Sequence, residues 1–124
     1  MRRRRRRRAR REPVGAPTYT VYAVELREEA WTRCRRMREE NPRGSMERSC
    51  LYVGYSAKTP AERLEVHRRG RRFSAKIVFR HGAGLRPDLY RDVAPVRTTR
   101  AEAEAAERAL AAKLRRMGYR VWQR

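Results

Sequence analysis

The stretch from Cys50 to Gly70 (Cys-Leu-Tyr-Val-Gly-Tyr-Ser-Ala-Lys-Thr-Pro-Ala-Glu-Arg-Leu-Glu-Val-His-Arg-Arg-Gly) constrains the fold of this chain more than any other. Its first residues, within Ser49–Gly54, read as a short buried strand with a tight exit at Gly54. A polar bend follows, and then a helix whose start is written in three residues. Thr59 is the N-cap, Pro60 presets φ at the first helical position, and Glu62 completes a capping box. Gly70 is suited to the far end, where a positive φ is wanted. Between these caps Arg63 and His67 stand four residues apart and so project from one side of the helix. A cation and a titratable ring beside a strand bearing Tyr52 suggest a site rather than a packing unit.

The remaining elements are arranged around that unit. Thr18–Leu26 is rich in β-branched and aromatic residues and reads as a strand. Glu28–Glu40 carries Ala30, Trp31, Cys34 and Met37 at helical spacing and reads as one amphipathic helix, ended by the turn Asn41–Ser45. Arg71–His81 fits either period, and a short helix stopped by Gly82 is the reading adopted here. Leu85–Tyr90 reads as a short third strand, kept at an edge by Pro87. Thr99 and Glu102 form a second capping box, opening a helix that ends at Gly118. Tyr119–Trp122 is a short extended end expected to lie on the sheet.

Charge narrows the partners. The 124-residue chain carries a formal +20, enough to favour polyanions, with nucleic acid first among them. Lysine occurs only at positions 58, 76 and 113, so arginine supplies nearly all of the charge. Arginine suits bidentate phosphate recognition. Residues 1–17 form an arginine-rich tail expected to be disordered, leaving residues 18–124 as one domain. Lys58, Arg68, Arg69, Arg71, Arg72 and Lys76 form a basic strip, either contacting phosphates or simply solvated. Two cysteines, Cys34 and Cys50, have no metal-ligand spacing and imply no disulfide framework. With no apolar run of membrane-spanning length and no secretory signal, the expected location is cytoplasmic.

The last helix holds one residue out of place. Ala103, Ala106, Leu110, Leu114 and Met117 form its apolar stripe, and Glu107 falls inside it. A carboxylate on an inward face costs stability unless it is paired, protonated or bound to a metal.

Taken in order, these positions resemble the GIY-YIG nuclease family. Thr20-Val21-Tyr22 stands where the first triplet belongs and Tyr52-Val53-Gly54 where the second does. Arg63 and His67 follow as the family's arginine and histidine do, and Ala103 and Glu107 are in register with its metal-binding helix. The resemblance implies an α+β domain with a small three-stranded antiparallel sheet flanked by helices. It also implies a divalent-metal-dependent endonuclease acting on DNA, with RNA left open. Glu107 would hold one Mg²⁺ or Mn²⁺, since hard cations prefer oxygen ligands and keep several waters. Arg63 would stabilise charge developing on the phosphate. Tyr22 would be the candidate general base for the attacking water, Tyr52 would position water or phosphate and His67 could share the base role, and the sequence does not settle which of the three moves the proton. Thr20 replaces the usual glycine, the span from Tyr22 to Tyr52 is long, and the family's late asparagine is absent, Asn41 being the only one. Those departures keep a second possibility in view, a catalytically inactive nucleic-acid-binding module on the same fold. Either way Tyr22, the Tyr52–His67 unit and Glu107 would have to converge.

Overall fold

The computed structural model describes residues 18–70, 75–93, 96–97 and 99–123. The sequence-distant elements meet in one mixed sheet. Strand β1 (Thr18–Leu26) lies between β2 (Cys50–Ser56) and β3 (Gly82–Leu85), antiparallel to both. Strand β5 (Arg120–Gln123) joins the far edge of β2 in parallel, giving the order β3-β1-β2-β5. A two-residue strand, β4 (Val96–Arg97), pairs with Thr18 and Tyr19 at the start of β1. The expected three-stranded antiparallel sheet is thus corrected to a mixed one. The extended C-terminal segment expected to lie on the sheet is a strand within it, and a preceding helix lets it enter in the parallel sense.

Among the described residues five α-helices flank the sheet: α1 (Glu29–Arg33), α2 (Arg35–Glu40), α3 (Pro60–Arg68), α4 (Lys76–His81) and α5 (Arg100–Arg116). Both capping boxes form. The Thr59 hydroxyl accepts from the Glu62 amide at 3.2 Å while the Glu62 carboxylate accepts from the Thr59 amide at 2.9 Å, and Thr99 and Glu102 repeat the pattern. Gly70 and Gly118 have φ of +64° and +95°, as their capping roles require.

Two segments differ from expectation. The single helix over Glu28–Glu40 is broken at Cys34, whose backbone is extended. Arg38 takes up carbonyls orphaned by the break, donating to Trp31 O at 2.6 Å and Thr32 O at 2.9 Å. The third strand lies upstream of Leu85–Tyr90, at Gly82–Leu85, and Pro87–Leu89 is a 3-10 turn instead. Proline at its start needs no N–H there, and Arg86 holds the turn through Asp88 at 3.0 Å and Glu25 at 2.6 Å. The short helix before Gly82 is present. A Cβ on Gly82 would stand 2.6 Å from the Val78 carbonyl, so glycine is required by close approach.

Alternation along the strands sorts the side chains into two layers. Tyr22, Val24, Tyr52, Gly54 and Trp122 share one face by register. Helix α3 covers it through His67, which reaches Tyr22. Val21, Ala23, Val53, Tyr55 and Val121 share the other face, which α5 covers with Ala103, Leu110, Ala111 and Leu114. The Tyr55 hydroxyl donates to Glu104 of α5 at 2.7 Å. Among the described residues no helix is long and apolar enough to cross a membrane.

Candidate active site

Strand register builds the site first. Tyr22 of β1 stands directly opposite Gly54 of β2, and Tyr52 lies two residues before Gly54 on the same face. With no side chain at Gly54, both phenol heads fold over its Cα. A Cβ there would lie 2.9 Å from the Tyr52 ring, 3.0 Å from its hydroxyl and 3.1 Å from the Tyr22 hydroxyl. The glycine of the second triplet is therefore the floor on which two hydroxyls meet. The Tyr22 and Tyr52 ring centroids are 6.1 Å apart, and His67 packs edge-on to Tyr52 at 5.6 Å.

Helix α3 supplies the other half. Its capping box fixes the first turn, and four residues further on His67 is fully buried with its Nε2 2.9 Å from the Tyr22 hydroxyl. The Ala75 amide donates to His67 Nδ1 at 2.8 Å. A backbone N–H can only donate, so Nδ1 is the acceptor and the ring proton belongs on Nε2, pointing at Tyr22. The half-buried Arg63, one turn earlier, sits against the same hydroxyl and hydrogen-bonds to it. Two donors thus occupy the lone pairs of the Tyr22 oxygen, and its single proton is directed at the hydrogen-bonded Tyr52. Burial holds the Tyr22 phenol well above its ordinary range, with Tyr52 adding to the rise; Arg63 opposes both without overcoming them.

Tyr22, Tyr52, Arg63 and His67 are thereby brought together. Glu107 comes from α5. It is 3 % exposed, as an inward position predicts, in the buried row that α5 forms with Ala103, Leu110, Ala111 and Leu114. Its Oε2 is fully buried and accepts no hydrogen bond among the described residues, while the side chain as a whole interacts with its surroundings. A carboxylate is the right donor for a hard divalent ion. No group of three or more His, Cys, Asp or Glu able to hold a metal occurs among the described residues. An ion held at Glu107 would accordingly keep waters or phosphate oxygens for most of its shell.

Of the basic strip, Lys58, Arg68, Arg69 and Lys76 are exposed, and Arg71 and Arg72 lie outside the described residues. The arginine-rich tail, residues 1–17, also lies outside them. The Ala75 amide was not foreseeable, since a backbone donor leaves no mark in sequence. Compared with known proteins, the chain matches no protein-family model, no curated protein and no solved structure.

Proposed function

We propose that this domain is a GIY-YIG-type endonuclease that hydrolyses phosphodiester bonds in DNA with the help of Mg²⁺ or Mn²⁺. The reading is carried by one observation: a buried Tyr22 hydroxyl flanked by His67, Arg63 and Tyr52 over a required glycine. A hydrophobic core has no use for four polar groups aimed at one point, and each that is buried must be satisfied at some cost.

Hydrolysis adds water across a P–O ester bond: the attacking water gives one proton to a base, and the leaving oxygen takes one from solvent as the bond breaks. Burial keeps the proton on Tyr22, and His67 donates to Tyr22 rather than accepting from it. The donor sequence runs from the Ala75 amide through His67 and Tyr22 to Tyr52. In this reading the ionised Tyr52 oxygen is the base for water, and Tyr22 and His67 position it. Arg63 neutralises charge growing on the phosphate. Glu107 would hold the divalent ion, which when bound polarises the scissile phosphate.

The formal charge of +20 and the exposed Lys58, Arg68, Arg69 and Lys76 also support a second reading, a nucleic-acid-binding module without turnover. Nicking of supercoiled plasmid separates the two. The nuclease reading expects activity with Mg²⁺, none in EDTA, and loss in Glu107→Ala and Arg63→Ala. Equal conversion in all samples removes it; salt-sensitive binding without conversion establishes the module.

A further inference from the structure

A second concavity lies beside the tyrosine cluster, between α1, α4 and β5. This cleft, of about 610 Å³, is lined by Arg33, Lys76, Arg80 and His81 around Ile77 and the Trp122 ring, and no carboxylate lines it. That volume falls in the about 300–1,000 Å³ range of small-ligand sites. Trp122 pairs in register with Tyr52, so the indole sits one strand away from Tyr52 on the same sheet face. The Arg36 guanidinium lies over the indole, 4.7 Å from its centroid, and is not among the residues lining the cleft.

The cations here are not neutralised by the lining. Burial lowers the pKa of His81, and Arg33, Arg80 and Arg27 lower it further against the opposing effect of Glu29. Cations converging on an aromatic platform match the chemistry of single-stranded nucleic acid, whose bases stack while its phosphates follow a basic groove. A duplex offers the phosphates but keeps its bases stacked on one another.

We propose that this cleft binds an unpaired nucleotide, its base stacked on Trp122 and its phosphates held by Arg33, Lys76 and Arg80. Beside a reaction centre at Tyr52, this makes the substrate a DNA with a single-stranded or unstacked segment next to the scissile bond. That last step rests on the nuclease reading; the binding itself does not.

The test is fluorescence anisotropy on the full chain with labelled oligothymidine and a duplex of equal length. EDTA is present, and raised salt weakens sequence-independent phosphate contacts. Trp122→Ala is expected to weaken single-strand binding by about 5- to 150-fold, the range for losing one base stack, and to leave duplex binding unchanged. Trp122→Phe should restore most of the affinity. The exposed pair Lys76→Ala/Arg80→Ala should flatten the single-strand salt dependence by about 1.4 in the log–log slope. Single-strand affinity unchanged in Trp122→Ala, or reduced equally for duplex, overturns the proposal. So does an unaltered salt slope in the lysine–arginine variant, which covers the case of a misfolded Trp122→Ala. Because EDTA excludes turnover, failure here leaves the hydrolysis reading standing, and absence of nicking leaves the subsite standing.

Discussion

Two buried polar clusters share one face of the sheet, and they are wired differently. Around Arg120, 1 % exposed, every guanidinium nitrogen is committed: Nη1 and Nη2 to the two Glu28 oxygens at 2.6 and 2.7 Å, Nη2 and Nε to the Arg48 carbonyl at 2.6 and 3.2 Å. The Trp31 ring lies 5.1 Å from the same group. This cluster closes on itself and ties α1 and the β2 entry to the last strand. Around Tyr22 the hydrogen bonds instead form a line with a direction, from the Ala75 amide through His67 to the two hydroxyls over Gly54. A closed set of bonds stabilises; a directed one delivers a hydrogen bond to a chosen atom. Both bury polar groups; closed wiring suits an anchor, and directed wiring is what the proposed reaction centre requires.

That contrast can be broken from either side. The largest expected effect is on chemistry: Tyr52→Phe should lower single-turnover nicking by about 10²–10⁴-fold, the worth of a positioned base. Its unfolding free energy should change by only about 1 kcal/mol, one hydrogen bond. The anchor should respond in the opposite way. Glu28→Ala strands the buried Arg120 charge and should cost about 3 kcal/mol in urea unfolding, the low end for a broken buried pair because Glu28 is 54 % exposed. Nicking by the folded fraction should be retained. Gly54→Ala tests where the two properties meet. Its methyl must displace the Tyr52 ring and both hydroxyls, costing about 1–3 kcal/mol, and activity should fall further than that loss of folded protein explains.

The smallest effect is a pH dependence that touches both clusters. Burial raises the pKa of Tyr22 and pushes the Cys50 thiol beside Glu28 up to about 11. Both groups ionise more readily in the unfolded chain, so their contribution is present at neutral pH and lost as pH rises. For Cys50 the window runs from about pH 9 to 11. For Tyr22 it opens near the ordinary phenol value of about 10. Urea unfolding along an alkaline series should show the decline, and Tyr22→Phe should remove the part that begins above about pH 10.

What could be read from the sequence was what is local. Thr59 with Glu62, Thr99 with Glu102, and the glycines at 70 and 118 act within a few residues, so their roles are legible without a fold. Glu107 was legible as inward because helical period alone decides it; which face of the sheet it would meet depends on where α5 lands. Arg120 and Glu28 are far apart in the chain, and nothing near either residue announces the other. Asn41, read as a turn residue, is buried, and its amide pairs with both backbone groups of Val121 at 2.8 and 2.9 Å, occupying the edge of β5. Gly82–Leu85 has one large apolar residue and no alternation to detect, so the sequence points to a strand a few residues too late, at Leu85–Tyr90.

The central claim is the direction of the chain of hydrogen bonds through His67, and nitrogen-15 NMR of the imidazole rings reads it directly. The protein has only two histidines, and substituting His81 assigns the other. The account predicts the His67 proton on Nε2, with Nδ1 unprotonated and accepting a hydrogen bond. A proton on Nδ1 would reverse the chain, make His67 an acceptor from Tyr22, and contradict the role given to Tyr52.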